Sequence, residues 1–327
     1  MYGCRKVASE EFDLPLIDLQ KLSSSNEAER QACINAITTA SSEWGFFQVV
    51  KHGISGELVG RMRREQGKFF EMACERKSNC KTVNDCYTWH GSPNGSGSEN
   101  KSWSQSLHLP LSTISCGGDH AIDQHFTSLR LVTEEFGAVM GKLALSLARI
   151  LAEKLGQSLE FFSENSNERT SFVRLNHYPL CPLWPEVLGL VPHTDGDFLT
   201  ILCQDQVGGL QLMKDCKWIS IMPNPEAFVV NIGDLFQAWS NGVYKSVEHR
   251  VMSNPTAERH STAFFFCPSY DTPIVTPMQP PLYKEFTLRQ YMKQVEEDLK
   301  QMGRKTGLSR FHVENVAPNS CNNDCFS

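Results

Sequence analysis

Between residues 171 and 267 the chain alternates short β-forming runs with turn signals, and this alternation restricts its fold more than any other feature. The turn signals are rich in Gly, Pro and Asn, as at Gly208-Gly209 and Asn241-Gly242. The runs between them are predicted to be strands: 171–177, 199–203, 210–213, 218–221, 227–232, 243–252 and 261–267. Many short strands at this spacing predict a sandwich or barrel, and a jelly roll accommodates them.

Helical spacing of apolar residues marks the regions on either side of this strand-rich segment. Asn26 is a suitable N-cap for a helix that ends near Gly45, and further helices are predicted at 55–74, 126–155 and 287–302. The expected fold is a mainly β core, a double-stranded β-helix of the jelly-roll or cupin-like type. Helices from the N-terminal half pack on this core, and one helix follows it at the C-terminal end.

The sequence contains no internal repeat, and we expect one β core with the helical N-terminal half packed on it rather than two independent domains. The N-terminal region of helices and short strands is expected at 1–125, and the core with its buttressing helices at 126–305. A flexible tail is expected at 306–327, since its end is rich in Asn and Ser.

Composition and charge exclude several classes of protein. The formal net charge is −6 and there is no basic run, which argues against nucleic acid as a partner. No run approaches the roughly 18 apolar residues of a membrane span, and the first residues lack an apolar signal region. We therefore expect no membrane association and a cytoplasmic location, with the nucleus as an alternative. The 12 cysteines are scattered without a CxxC pair, and we expect reduced thiols.

Two histidines and one aspartate in the strand-rich segment form a candidate metal site. His193 and Asp195 are two residues apart, so in a strand both side chains point to the same face. The predicted strand at 243–252 alternates in a way that turns His249 toward the core. Two imidazoles and one carboxylate suit non-haem Fe(II) and leave coordination positions open. Taken alone, a His-x-Asp triplet also arises by chance in a chain with ten histidines.

Arg259 and Ser261 form a second candidate pair, which follows His249 in the sequence. A guanidinium binds a carboxylate through two parallel hydrogen bonds, and a hydroxyl on the same strand face can add a third. A metal triad beside such a clamp is what an oxygenase with a keto-acid co-substrate requires. Taken alone, an arginine is more often a solvated surface cation.

These residues, together with Asn176-x-Tyr178-Pro179, form a pattern that resembles the plant 2-oxoglutarate and Fe(II)-dependent dioxygenases. The resemblance runs nearly end to end. More narrowly, several segments resemble gibberellin 2-oxidases, and among these the branch that acts on C20 gibberellins. Segments 14–19 and 44–53 resemble the N-terminal region of the wider family, and segments 103–108, 231–241 and 264–270 carry the narrower resemblance.

Two positions depart from the pattern of this family. His177 stands where many relatives have Tyr, and Gly196 follows the aspartate where Ser is common. Neither change removes a candidate ligand, so the departures bear on substrate preference more than on reaction type.

The resemblance implies roles for the candidate residues. The three residues of the candidate metal site would bind Fe(II) and, with Arg259, are the expected catalytic residues. O2 would be a co-substrate and ascorbate the reductant. The distal carboxylate of 2-oxoglutarate would pair with Arg259, assisted by Ser261 and Tyr178. Asn176 shares a strand face with Tyr178, so both are expected at the co-substrate.

The resemblance also implies a substrate, a rigid and mostly apolar diterpenoid acid that is inactivated by hydroxylation at its 2β position. Such a ligand needs an apolar pocket with a few placed polar groups. Candidate walls of this pocket are Trp103, Phe198, Trp239, Tyr244 and Phe266. Lys245 has the same strand parity as His249 and is the candidate partner of the substrate carboxylate.

Three other functions are compatible with the sequence. The same core could act on a flavonoid, an alkaloid or another hormone. A non-redox, cupin-like protein could hold Zn²⁺ or another ligand, although it would have no need of the pair Arg259 and Ser261. A hormone-binding module without catalysis is the third alternative. The sequence makes no prediction about oligomeric state.

Overall fold

The computed structural model describes residues 11–72, 86–91, 102–112, 126–158, 160–166 and 170–313. The helices in these ranges are α1 (Glu27–Glu43), α2 (Gly56–Glu71), α3 (Thr127–Lys154), α4 (Glu160–Asn165), α5 (Asp234–Trp239) and α6 (Leu288–Met302). The strands are β1 (Glu11–Phe12), β2 (Leu16–Asp18), β3 (Phe46–Val50), β4 (Tyr87–Trp89), β5 (Gln105–Pro110), β6 (Phe172–Tyr178), β7 (Leu188–His193), β8 (Leu199–Gln204), β9 (Leu210–Lys214), β10 (Lys217–Ile221), β11 (Phe228–Ile232), β12 (His249–Met252), β13 (Arg259–Phe266), β14 (Pro273–Ile274) and β15 (Phe286–Thr287).

Two large sheets form the core. The larger sheet has eight strands in the order β2-β3-β11-β8-β13-β6-β5-β4, and the smaller has five in the order β1-β10-β9-β12-β7. The pairs β2–β3 and β1–β10 are parallel, and the other pairs in these sheets are antiparallel. Apolar side chains of both sheets pack together between them: Phe46, Leu210, Leu212, Ile221 and Val229. The predicted mainly β core is confirmed.

The long helix α3 supports the larger sheet. It packs against β13 and β8 on one side and against α1 and α2 on the other. Residues such as Phe136, Met140 and Leu147 recur at helical spacing and are fully buried. The buttressing helix predicted at 126–155 is therefore confirmed. None of the helices in the described ranges combines the length and apolarity that crossing a membrane requires.

The C-terminal helix α6 has strong signals at both ends. Thr287 and Gln290 form a capping box at its start, and Gly303 ends it with a left-handed φ of 68°. A 3-10 helix, Gly307–Phe311, follows and buries Leu308. The ordered chain thus extends past residue 306, where we expected the flexible tail to begin. The remainder of that tail, 314–327, lies outside the described residues.

The structure corrects several sequence-based expectations. The strand predicted at 243–252 begins only at His249, and the residues before it are irregular. Strand β7 was not predicted, because Gly189 and Pro192 interrupt its β signal. Helices α4 and α5 were missed because six residues are too few to show a helical period. The expectation of reduced thiols holds for five described cysteines, Cys33, Cys86, Cys181, Cys203 and Cys267, but Cys216 is disulfide-bonded.

Candidate metal centre and carboxylate-binding cavity

The candidate metal site lies where the start of β12 faces the end of β7. His249 and His193 are paired across these antiparallel strands, and their ring centroids are 4.2 Å apart. Strand β7 ends at His193, so Asp195 reaches the site from the following loop rather than from a shared strand face. Its Oδ1 lies 3.7 Å from Nε2 of each imidazole. Ligand atoms of the three residues all lie within 4.8 Å of one another, so one metal ion could contact all three.

Backbone carbonyls orient both imidazoles. Nδ1 of His193 lies 2.8 Å from the Val191 carbonyl oxygen, and Nδ1 of His249 lies 3.2 Å from that of Val247. With Nδ1–H as the donor, Nε2 carries the lone pair that faces the centre of the site. Burial, and then the neighbouring His249, lower the pKa of His193, so this ring is neutral, as metal binding requires.

Two neutral side chains hold the carboxylate of Asp195. Thr200 Oγ1 donates to Oδ2 at 2.7 Å and Asn231 Nδ2 donates to Oδ2 at 2.8 Å, while Oδ1 faces the imidazoles. Burial raises the pKa of Asp195, but the two imidazoles and these hydrogen bonds outweigh it and lower the pKa to about 2. The site therefore carries one negative charge, which suits a divalent cation. Thr200 and Asn231 face each other across β8 and β11, and sequence reasoning missed both. The signal that could have identified Thr200 and Asn231 is a polar residue among the mostly apolar residues of each strand.

Asp197 is a second buried carboxyl group beside the metal site. Burial, and then the charge of Asp195, raise the pKa of Asp197 well above its usual range. Its Oδ2 lies 3.0 Å from Thr200 Oγ1, whose only proton is donated to Asp195, so Asp197 in its protonated form donates to that hydroxyl oxygen and adds no second negative charge to the site.

Arg259 is buried with only 2% of its surface exposed. Nη2 donates to Gln204 Oε1 at 2.9 Å, Nη1 donates to Ser261 Oγ at 3.4 Å, and the guanidinium lies over the Tyr178 ring at 4.9 Å. Asn176 Nδ2 reaches Ser261 Oγ at 3.5 Å. All of these partners are neutral. Because an uncompensated buried cation is costly, this cluster is built for an anionic ligand. The structure thus brings together the four predicted residues and adds Gln204.

One cavity of about 520 Å³ contains both the metal site and Arg259. Alternate residues of two paired strands line it. Strand β13 and the residue after it contribute Arg259, Ser261, Ala263, Phe265 and Cys267, and β6 contributes Phe172, Arg174, Asn176 and Tyr178. The intervening residues of these strands point away from the cavity. Among them, His177 stacks on His260 with ring centroids 4.5 Å apart, outside the cavity lining. The departure at His177 therefore does not alter the cavity wall directly.

Comparison with known proteins identifies the family. Residues 169–268 match the family model of the 2OG-Fe(II) oxygenase superfamily, and residues 14–121 match that of the non-haem dioxygenase in morphine synthesis N-terminal region. Gibberellin 2-beta-dioxygenase 8 of Arabidopsis thaliana is 50% identical over 303 residues, which cover 92% of this chain and 88% of the relative. The chain belongs to the 2OG-Fe(II) oxygenase superfamily.

Other relatives agree with this assignment. Gibberellin 2-beta-dioxygenase 6 of Oryza sativa subsp. japonica is 47% identical, over 92% of this oxygenase and 85% of the relative. The crystal structure of JOX2 in complex with 2OG, Fe and JA superposes with a TM-score of 0.74 and is 34% identical, over 93% of this oxygenase and 90% of that chain. The residues fit both groups that the family name implies, since a compact His-Asp-His set suits Fe(II) and a buried arginine without an anion suits a keto acid.

The end of the cavity remote from Arg259 is mostly apolar. The His108, Phe172 and Phe265 rings are stacked in series, with centroids 4.1 Å and 4.4 Å apart. Helix α6 supplies the facing wall through Met292, Val295 and Leu299. Burial, and then Arg174, lower the pKa of His108 to about 4, so this ring is neutral near pH 7.

Arg174 is the cation of this outer region. Its cross-strand neighbours are His108 on β5 and Ala263 on β13, and its Nη2 donates to Ser106 Oγ at 3.3 Å. It has no carboxylate at ion-pair distance among the residues that the structure describes. Lys305 also lines the cavity, but it pairs with Asp234 at 2.9 Å. Sequence reasoning missed Arg174, although continuing the parity of Tyr178 and Asn176 by two residues leads to it.

The structure places none of the six predicted substrate residues in the cavity wall. Four belong to the apolar core: Phe198, Trp239, Tyr244 and Phe266. Phe266 has the wrong parity, because its neighbour Phe265 faces the cavity. Phe198 and Trp239 pack on the rings of α4, and the Tyr244 hydroxyl donates to the Leu151 carbonyl at 2.9 Å.

The other two predicted substrate residues lie outside the core. Lys245 is exposed, because the strand that was expected to turn it inward does not start until His249. Trp103 packs edge-on against Trp89 at 5.4 Å, and its Nε1 donates to the Leu180 carbonyl at 3.0 Å. It anchors a loop and does not line the described cavity.

Proposed function

We propose that this oxygenase hydroxylates gibberellins at the 2β position, with C20 gibberellins as preferred substrates, O2 and 2-oxoglutarate as co-substrates, and ascorbate as reductant. One observation carries the proposal: a single cavity holds the candidate metal site, a buried arginine at one end and an apolar chamber with a second arginine at the other. The likeness to gibberellin 2-beta-dioxygenases over nine-tenths of the chain supports the reaction. The preference for C20 gibberellins rests on the resemblance of segments 103–108, 231–241 and 264–270 taken together.

At the metal site, His193, Asp195 and His249 would hold Fe(II). When bound, Fe(II) supplies the redox chemistry by which such oxygenases couple decarboxylation of a keto acid to hydroxylation of a C–H bond. Burial keeps the His193 ring neutral, the carboxylate of Asp195 stays ionised, and Thr200 and Asn231 fix the carboxylate plane. Because the metal supplies the oxidising power, the chain needs no general base.

At the inner end of the cavity, Arg259 would bind the distal carboxylate of 2-oxoglutarate through both terminal nitrogens. Gln204 and Ser261 hold the plane of the guanidinium, and Tyr178 covers one of its faces. An ordered, dry partner of this kind binds a dicarboxylate more tightly than a solvated arginine would.

At the outer end, we assign Arg174 to the carboxylate of the substrate. The stacked rings of His108, Phe172 and Phe265 and the apolar side chains of α6 would enclose the rigid hydrocarbon body. Arg174 lies two residues from Asn176 on one strand face, about 7 Å along β6, so substrate and co-substrate acids have separate partners.

Turnover with a panel of acids tests the proposal. The protein is incubated with Fe(II), ascorbate, 2-oxoglutarate and either C20 gibberellins, C19 gibberellins or jasmonic acid, and products are identified by mass spectrometry. We expect 2β-hydroxylated C20 products and one succinate for each. Hydroxylation of jasmonic acid in preference to every gibberellin would overturn the proposal.

The methyl ester of the best substrate tests the role of Arg174. A charge-assisted hydrogen bond contributes about 1.5–3 kcal/mol, so the wild type should prefer the acid by about 10- to 150-fold in kcat/KM. Arg174→Gln should lose this preference by slowing only the acid. Arg289→Gln is the matched control, since Arg289 is exposed and pairs with Asp271. An undiminished preference for the acid in Arg174→Gln would contradict the assignment.

A further inference from the structure

Helix α6 meets the metal-binding loop where Tyr291 packs on Gly196. A Cβ atom at Gly196 would lie 2.7 Å from Tyr291 Cε1 and 3.4 Å from its Cζ. The phenol ring therefore occupies the space that a side chain at position 196 would need. Tyr291 is itself buried, with 3% of its surface exposed.

The backbone at Gly196 does not demand glycine. Its φ lies outside the left-handed region, which the chain enters at other glycines such as Gly208 and Gly303. A residue with a side chain could adopt this conformation without backbone strain. The absence of a side chain at 196 thus leaves the space that the Tyr291 ring occupies.

Hydrogen bonds of the Tyr291 hydroxyl and its partners hold the same contact in place. The Tyr291 hydroxyl donates to Asp234 Oδ2, which also accepts from Thr194 Oγ1 at 3.0 Å and pairs with Lys305 Nζ at 2.9 Å. Lys305 Nζ donates to the Thr194 carbonyl at 2.9 Å. The backbone N–H of Asp234 donates to the Asp195 carbonyl at 2.8 Å. The C-terminal segment is therefore bound on both sides of a metal-ligating residue.

The contact sets the position of one wall of the cavity. From Tyr291, the same helix presents Met292, Val295 and Leu299 to the outer chamber. Because a helix is stiff, the depth at which Tyr291 sits on Gly196 fixes how far these side chains stand from the metal site. A displacement of Tyr291 by a side chain would move the whole wall.

We propose that Gly196 and Tyr291 form an interlock that determines regiospecificity, by fixing the distance between the α6 wall and the metal site and hence which substrate carbon is presented. The proposal rests on the proposed function for the identity of the substrate. The interlock itself does not, because helix docking can be measured without any substrate.

Hydrogen–deuterium exchange of the full-length protein tests the docking. In Gly196→Ser, the added side chain should displace the ring, and amides of 288–302 should exchange about tenfold faster than in the wild type. Gly196→Ala is the milder second variant and should give a smaller increase. Lys293→Ala, on the exposed side of α6, is the control and should match the wild type. Unchanged exchange of α6 in both Gly196 variants would overturn the interlock.

A double-mutant cycle separates the interlock from an effect on the metal ligand next to it. Tyr291→Ala removes the ring, so adding Gly196→Ser to it should cause no further change in exchange or product ratio. Additive effects would show that position 196 acts independently of Tyr291 and would refute the proposal. Co(II) affinity, followed by its absorption spectrum, should stay within about twofold of the wild type in Gly196→Ser, and a tenfold loss would likewise refute it.

The consequence for catalysis is measured with the substrate found for the wild type. Gly196→Ser should release more succinate per hydroxylated product and should form hydroxylated isomers that the wild type does not. A single unchanged isomer together with looser α6 amides would overturn the claim about regiospecificity. If no gibberellin is turned over by the wild type, the proposed function fails, while the exchange and cobalt data still decide the interlock.

Discussion

Substitutions at Gln204 test whether Arg259 binds the distal carboxylate of 2-oxoglutarate. Its Oε1 accepts a hydrogen bond from Arg259 Nη2 at 2.9 Å, and both side chains are almost fully buried. Gln204→Glu preserves the shape of the side chain but places a carboxylate against the guanidinium. The variant should fold, because it gives the buried cation a partner, yet that partner competes with the distal carboxylate of 2-oxoglutarate.

The size of the effect follows from the geometry. Opposite charges about 4 Å apart interact by about 4 kcal/mol at an effective dielectric constant of about 20. Part of this is offset by desolvation of the new carboxylate, which leaves roughly 2–3 kcal/mol. The affinity for 2-oxoglutarate should therefore fall by about 30- to 150-fold. Gln204→Met, which only removes a hydrogen bond, should lose less, about tenfold.

Calorimetric titration of 2-oxoglutarate into the Co(II)-loaded protein measures these affinities. Gln211→Glu is the matched control, since Gln211 Oε1 accepts from Arg250 Nε at 2.7 Å and neither residue lines the cavity. This control should bind 2-oxoglutarate as the wild type does. If Gln204→Glu bound 2-oxoglutarate as tightly as Gln204→Met, the assignment of Arg259 as its carboxylate partner would fail.

Three further changes have defined outcomes. Asp195→Ala should abolish turnover and lower Co(II) affinity by at least about 100-fold, measured by absorption titration; full activity would refute the metal assignment. Arg259→Lys should raise the KM for 2-oxoglutarate by about tenfold or more, because one ammonium cannot make the two parallel hydrogen bonds of a guanidinium. A wild-type KM would contradict this. Burial, then Arg174, lower the pKa of His108 from 6.5 to about 4, so between these pH values the unfolded chain binds a proton that the folded chain does not. Stability should therefore fall as the pH drops through that window, and His108→Gln should flatten the fall in urea titrations at pH 7 and pH 5.

The candidate site was largely predictable because its signals are local. A spacing of two residues along β6 and β13 places Tyr178 with Asn176 and Arg259 with Ser261, and the register of the two strands brings the pairs together. The sequence also identified the two histidines, although the reason given for Asp195 was wrong. The carboxylate reaches the site because the chain turns after His193, and no periodicity describes a turn of this kind.

The residues that line the outer end of the cavity were not predictable, because they depend on which face of a strand a side chain occupies and on contacts between distant segments. An error of one residue along a strand places a side chain on the wrong face. For this reason Phe266 was predicted to line the cavity, whereas its neighbour Phe265 does so. The start of β12, displaced by six residues, moved Lys245 to the surface. The α6 wall comes from a segment about a hundred residues beyond Asp195, and only the packed structure shows that Tyr291 meets Gly196.

Ala263 lies midway along β13, directly across from Arg174 and four residues from Arg259. Arg259 and Phe265 lie six residues apart on that strand face, about 20 Å in a fully extended strand, so the backbone fixes the distance between these two positions. A family of such enzymes could retune the length of the accepted molecule by changing the bulk of this one small residue. Both arginines and the residues of the candidate metal site would keep their positions. The accepted substrate would therefore change while the reaction stayed the same.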